Sequence, residues 1–368
     1  MVMKLLVIKL FVLGMRVLYA PMKLRKTKNK ILYCSRQSND PSNDMLALKR
    51  EIEKINPNLC QVFRLRFLRD EKGLSLSYLF GILGDMWEMA TAKVVIADTY
   101  SIPLSCLRHK KDQKRVQIWH ALAAVKQFGL QAAGKAQGRD DRVAKTLCMH
   151  QNYTHVIAPS KATGEFYQKA FGCDGATIHI ASLPRVDELL NRVSRKEEFL
   201  KCNPRYKGKR LILYVPTFRE GDEEFCLRLA KEFEPYSELG LIVAPHPISE
   251  CAKNPAFTIN GTFSTYDLMK LADELITDYS ACSVEGALLH KPLRFFLPDY
   301  EQYKREQGLN VDLKRWFPTQ CFETEQDLVQ GVLKEEYPLE QVTAYAKEFV
   351  ENQGTNNAEK LAEFICAL

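Results

Sequence analysis

The sequence predicts an α/β protein of two Rossmann-like, doubly wound domains facing a central cleft. Three observations predict it. Short apolar runs alternate with amphipathic helical stretches along most of the 368 residues, the rhythm of βαβ units and parallel sheets. That rhythm stops in a charged stretch, 190–209, which contains Asn203-Pro204 and Gly208, and then restarts. The length suits two domains of ~100–200 residues each. A composition of 46% apolar and 26% charged residues excludes a disordered chain, a collagen and a multispan membrane protein.

The first 30 residues stand apart. Lys and Arg number 52 and Asp and Glu 45, a net charge of +7. Nine of the basic residues precede the first acid, Asp40, which leaves 43 basic against 45 acidic residues in the rest. A basic end on a near-neutral body points to a local contact rather than to nucleic acid. The longest uncharged apolar run, 10–15, is shorter than the ~18 residues of a membrane span. No small-x-small cleavage pattern precedes Pro21. The expectation for 1–30 is an amphipathic segment in the membrane interface, with Lys9, Arg16, Lys23, Arg25, Lys26, Lys28 and Lys30 at an anionic surface. The alternative is an element packed on the body, followed by a solvated basic loop. Eleven cysteines without CxxC spacing read as reduced thiols of a cytosolic protein.

A first domain is expected over 31–200. Its strands are 29–35 (NKILYCS), 61–67, 93–98 (KVVIAD), 116–119 (VQIW), 153–159 and 178–181. Helices fit at 44–55, with Met45, Leu46, Leu48 and Ile52 on one side, at 75–89, and at 161–171 behind the N-cap Ser160. The second domain, 201–338, has strands at 211–215, 240–244, 274–277 and 293–297, with helices at 222–232, 265–272 and 283–290. The stretch 339–368 is helical and is expected to cross back onto the first domain.

Ligands of doubly wound sheets bind beyond the strand carboxyl ends, so the chemistry is sought there. Trp119-His120 follows one strand and Pro245-His246-Pro247 another. An imidazole can take a proton from an alcohol near neutral pH or stabilise phosphate charge. Pro216-Thr217-Phe218-Arg219 places a guanidinium where it suits a phosphate clamp. Asp278-Tyr279-Ser280 joins a strand to a helix, a place where backbone N–H groups and the hydroxyls of Ser280 and Ser283 can receive an anion. No GxxxxGK[ST], no GxGxxG after a strand, no HExxH and no GxSxG occurs. Neither metal nor cofactor is called for.

These pieces, in this order, resemble the CDP-glycerol glycerophosphotransferases of the teichoic acid pathway. The resemblance rests on Gln117-Ile118-Trp119-His120 with Lys126 and Gly129, on Pro159-Ser160 through Phe171-Gly172, and on Leu183-Pro184-Arg185-Val186-Asp187. It continues with Tyr214 through Arg219, His246-Pro247, Ile276-Thr277-Asp278-Tyr279-Ser280 through Lys291-Pro292, and Phe295-Phe296 with Asp299, Tyr300 and Tyr303. The family usually continues Trp-His with Gly-Thr-Pro, where this chain has Ala121-Leu122-Ala123, and has Trp in place of Phe218.

The resemblance implies a GT-B fold and His120 and His246 as the essential pair. It implies donor binding through Thr217, Arg219, Thr277, Asp278, Ser280 and Ser283, with Glu285 on the ribose. It implies transfer of glycerol phosphate from CDP-glycerol to a polyprenyl-diphosphate-linked saccharide, with release of CMP, at the cytoplasmic face of the membrane. CDP-ribitol as donor, a nucleotide-sugar glycosyltransferase on the same fold, and a non-catalytic membrane-associated binding protein are the alternatives. A homo-oligomer is left open.

Overall fold

The computed structural model describes residues 2–67, 76–136, 138–218, 222–246, 249–334 and 336–368. Two units divide the chain. The first comprises Met1–Leu122, Gln127–Asp187 and Asn356–Leu368, and the second Ala123–Lys126 and Glu188–Thr355.

Unit 1 is built on six parallel strands: β1 (Lys28–Ser35), β2 (Cys60–Leu65), β3 (Ala92–Ala97), β4 (Lys114–Gln117), β5 (His155–Ala158) and β6 (Ile178–Ile180), in the order β2-β1-β3-β4-β5-β6. Unit 2 has five: β7 (Arg210–Val215), β8 (Leu239–Val243), β9 (Glu274–Thr277), β10 (Leu293–Phe296) and β11 (Cys321–Phe322), in the order β11-β10-β9-β7-β8. Every pairing is parallel. Both sheets therefore reverse their winding once, between β1 and β3 and between β7 and β9. In such sheets the reversal opens a crevice beyond the strand carboxyl ends. The strands are continuous apolar runs because helices cover both faces; Leu32, Val95, Ile96, Ile212, Leu213 and Leu275 are wholly buried.

Three helices of unit 1 matter to the site: α1 (Val2–Met22), α2 (Asn43–Ile55) and α3 (Leu76–Met89). Ser42 caps α2 by accepting from the Met45 N–H, and Met45, Leu48 and Ile52 are buried, as their spacing predicts, while Leu46, expected on the same side, is only partly buried. Ser160 caps the helix Lys161–Phe171, which Gly172 ends at φ 60°.

Several boundaries differ from the sequence expectation. The second unit starts at Glu188, not at 201, because the charged stretch holds the helices Pro184–Asn191 and Lys196–Cys202. The C-terminal helices part company. Leu339–Phe349 belongs to unit 2, while Asn357–Ala367 belongs to unit 1 and packs on α2. Asp187 caps that last helix, accepting from the backbone N–H groups of Asn357 and Ala358.

The N-terminal helix packs on the body along one face and leaves an apolar face exposed. Val12, Met15 and Tyr19 of α1 enter the unit 1 core with Ile82 and Met86 of α3. The Tyr19 hydroxyl donates to His109 Nδ1 (3.1 Å), whose Nε2 donates to the Leu104 carbonyl (2.8 Å). The opposite face of α1 exposes Leu6, Leu10, Leu13 and Val17. By length and composition Met3–Met22 would suffice to cross a membrane, which the charge-bounded run 10–15 understates. The basic residues also divide. Lys9, Lys26 and Lys28 are exposed and Lys23 partly so. Arg25 lies on the Trp87 ring, 3.5 Å from its centroid. One of the expected surface contacts is corrected. Lys30 is buried, ion-paired with Glu88 and bonded to Thr91. Arg16 is exposed, and its Nε donates to the Cys106 carbonyl (3.0 Å).

Candidate active site

In unit 1 the site grows from the end of β4. Gln117 is fully buried. Its amide nitrogen donates to the Thr99 carbonyl (3.1 Å), and its amide oxygen accepts from the Trp119 N–H (2.9 Å). That bond helps hold Trp119 at φ 53°, a conformation uncommon for a bulky residue. The Trp119 ring stacks on Phe128 and meets Phe171 edge-on. The chain thus turns off the strand and sets the half-buried His120 ring against the indole, with centroids 4.1 Å apart.

His120 Nδ1 lies 2.8 Å from the Asp98 carbonyl oxygen. A carbonyl oxygen can only accept, so Nδ1 carries the hydrogen, and in the neutral ring Nε2 keeps its lone pair. The backbone here is fixed as well. Arg185 Nη1 donates to the His120 carbonyl (2.7 Å), while its Nε and backbone N–H donate to the Asp44 carboxylate at the start of α2. Asp44 is 1% exposed, so this charge pair is one the fold cannot replace with water. Asp98, beside His120, is also buried, and one of its carboxylate oxygens has no hydrogen-bond partner. Burial pushes that carboxyl up to about 6. Ala121 and Leu122 continue the loop; the Ala121 carbonyl accepts from Tyr167, and Leu122 is buried.

In unit 2 the crevice between β7 and β9 is sealed by its own side chains. The Asp278 carboxylate accepts from the Thr217 backbone N–H (2.9 Å) and hydroxyl (2.6 Å). Thr277 donates its hydroxyl to the Val215 carbonyl (2.8 Å), across the β7–β9 seam. Ser283 donates to the Ser280 carbonyl (2.9 Å) and shares a hydrogen bond with the Tyr345 hydroxyl. The hydroxyls of Thr217, Thr277 and Ser283 and the carboxylate of Asp278 are thus buried ties that set the shape of the turn. Ser280 is half-buried. Its hydroxyl accepts from the Cys282 N–H. Glu285 sits one helical turn on, and its carboxylate accepts from the Tyr266 hydroxyl (2.8 Å). Gly286 lets the helix approach the sheet, since a Cβ there would press on Leu275 and Leu293. His246 is exposed at the end of β8, its ring 5.8 Å from that of Phe218. Arg219 and Pro247, both singled out from the sequence, lie outside the described residues.

A family model of CDP-Glycerol:Poly(glycerophosphate) glycerophosphotransferase matches residues 18–367. The chain belongs to this glycerophosphotransferase family. The teichoic acid ribitol-phosphate primase of Bacillus spizizenii is 27% identical over 331 residues, covering 85% of this chain and 85% of that protein. The teichoic acid glycerol-phosphate primase of Bacillus subtilis is 24% identical over 292 residues, covering 75% of this chain and 74% of that protein. Among solved structures the wall teichoic acid polymerase TagF superposes with a TM-score of 0.71 at 16% identity, covering 99% of this chain and 97% of that one. The fold is accordingly GT-B, as expected.

For a glycerophosphotransferase, the sequence reading missed the supports of His120. Asp44 stands in the first turn of α2, where an acid ordinarily serves the helix itself. Asp98 ends an apolar strand. The run Leu183 through Asp187 carried the only signal. Its Arg185 steadies the His120 loop and its Asp187 receives the last helix.

Proposed function

We propose that this glycerophosphotransferase moves glycerol phosphate from CDP-glycerol to a hydroxyl of a polyprenyl-diphosphate-linked saccharide, at the cytoplasmic face of the membrane. The observation that carries the reading is the tautomer of His120. With Nδ1–H given to the Asp98 carbonyl, Nε2 is the basic nitrogen, the state a general base needs. The acceptor hydroxyl passes its proton to Nε2 while its oxygen bonds to the β-phosphorus. The phosphoanhydride bond breaks, and its electrons leave with CMP. His246, Arg219 and Ser280 stabilise charge on the transferring and leaving phosphates, and Glu285, aligned by Tyr266, binds the ribose hydroxyls. Positioning and charge stabilisation supply most of the acceleration in such displacements.

The exposed apolar face of α1 supports the membrane assignment. Such a face buries in the headgroup boundary, and exposed lysines beside it add attraction to anionic lipid. CDP-ribitol is the second reading, favoured by the likeness to a ribitol-phosphate primase.

The test offers CDP-glycerol, CDP-ribitol and nucleotide sugars with a lipid-linked saccharide and follows free nucleotide. CMP from CDP-glycerol is expected. CMP from CDP-ribitol alone moves the assignment to the second reading. Release from a nucleotide sugar alone makes the protein a glycosyltransferase, and no release from any donor makes it a binding protein. His120→Ala and His246→Ala should each lower the rate by about 10²–10⁴. Near-wild-type CMP release by both would overturn the mechanism.

A further inference from the structure

Unit 2 holds a cavity of about 420 Å³, a volume ordinary for a small-molecule site. It is lined from β10, from the start of β11, from the end of the helix Glu325–Leu333 and from the stretch after that helix. Asp278 and His246 follow the carboxyl ends of β9 and β8, whereas Arg294 is the second residue of β10 and pairs with Glu274, the first of β9. The cavity thus lies toward the amino ends of the strands, apart from the Asp278 turn. Arg294, which lines it, is 1% exposed. Its Nε is ion-paired with Glu274, which also pairs with Arg210, and its Nη1 donates to Gln320. Its Nη2 is buried with no hydrogen-bond partner. A charged donor left unmade in the interior is costly, and a bound group or a water is the usual remedy.

The other walls narrow the ligand. Thr319 and Lys334 are exposed donors on the same lining, and the one acid among its described residues, Glu336, is exposed too. Phe322, Tyr337 and Pro338 supply apolar surface, and each is partly exposed. The Tyr337 hydroxyl donates to the Leu293 carbonyl (2.6 Å), which fixes the ring with its centroid 5.4 Å from the Arg294 guanidinium carbon. Phe322 lies against bare backbone at Gly331, where a Cβ would press on its ring. With Nε and Nη1 engaged, Arg294 offers one nitrogen rather than a fork. A single nitrogen suits one oxygen of a carboxylate, whereas a phosphate is better served by the fork. The second oxygen is left for the Thr319 hydroxyl or for Lys334.

We propose that this cavity is a second ligand site of unit 2 and takes a small carboxylate with a flat apolar body. The carboxylate meets Arg294 Nη2, and the flat body lies against Tyr337 and Phe322. The test reads binding, so it stands apart from the transfer reaction. The full-length protein is titrated by calorimetry with benzoate, benzyl alcohol, acetate and phenyl phosphate, and then with benzoate in the presence of CMP.

Benzoate should bind about tenfold or more tightly than benzyl alcohol, which lacks the charge, and than acetate, which lacks the ring. CMP should leave it in place. Arg294→Lys keeps a cation for Glu274 but removes Nη2, and should weaken benzoate about tenfold or more. Thr319→Val with Lys334→Gln changes two exposed positions and should weaken it severalfold in a protein that melts as the wild type does. Should Arg294→Lys fail to fold, the double variant decides alone. No binding of benzoate would mean that water completes Arg294, and would overturn the site. Wild-type affinity in the folded variants, or displacement by CMP, would overturn it as well. Benzyl alcohol or acetate matching benzoate, or phenyl phosphate binding more tightly, would overturn the ligand class.

Discussion

The chemistry of His120 depends on its neighbours more than on the imidazole itself. The Asp98 carbonyl selects the tautomer, and Arg185 holds the backbone while spending the rest of its guanidinium on Asp44. Breaking a buried pair from one side costs about 3–5 kcal/mol, because the remaining charge has no water to turn to. Asp44→Ala should therefore lower the unfolding free energy by about that amount in urea titration. It should also reduce kcat at temperatures where the protein stays folded. Asp98 makes a second prediction at this scale. Its carboxyl is pushed up to about 6 in the folded chain, against ~3.9 in an unfolded one. The folded state thus holds the extra proton between those values, and its stability falls as pH rises from about 4 to about 6. Asp98→Asn should raise Tm at pH 7.5, with the gain fading toward pH 4.

Helix α1 shows how one element serves two environments. Its inner face packs in the core through Val12, Met15 and Tyr19, and its outer face is apolar yet exposed. The two faces should separate cleanly by mutation. Met15→Ala should cost about 2–5 kcal/mol of stability. The double change Leu10→Lys with Leu13→Lys should leave stability within about 0.5 kcal/mol and abolish sedimentation with phosphatidylglycerol vesicles. Retained sedimentation would place the membrane contact elsewhere. Periodicity cannot reveal this division, because α1 is apolar nearly all round and no polar stripe marks either side. The strands were legible for the opposite reason, since parallel strands buried on both faces write continuous apolar runs. The roles of the small polar residues were not. Thr277 finds its partner in Val215 and Ser283 in Tyr345, each 62 residues away. A hydroxyl at a strand end does not announce so distant a partner.

At the scale of the whole molecule, the two units should answer acid differently. Burial pulls His109 down to about 4 and His150 down to about 3, and both belong to unit 1. An unfolded histidine titrates near 6.5. The stability carried by the neutral rings is thus complete above about pH 6.5 and lost as pH falls toward 4 and 3. Asp98 and Asp85, both raised by burial, offset part of this with the opposite sign, while burial also lowers His155 and His179, which add to it. A thermal scan at pH 5 should show unit 1 melting earlier than at pH 7.5. His109→Gln should shrink that difference. The His109 bond to Tyr19 makes α1 part of the same transition.

The division of the chain between the units also has a consequence for biosynthesis. The last helix, Asn357–Ala367, lies on α2, the helix that carries Asp44, and Asp187 grips its first turn two residues beyond Arg185. Until residues 357–367 have left the ribosome, that helix has no access to its seat. The setting around His120 is therefore completed only after the whole of unit 2 has been synthesised. A nascent copy would remain catalytically unfinished until then.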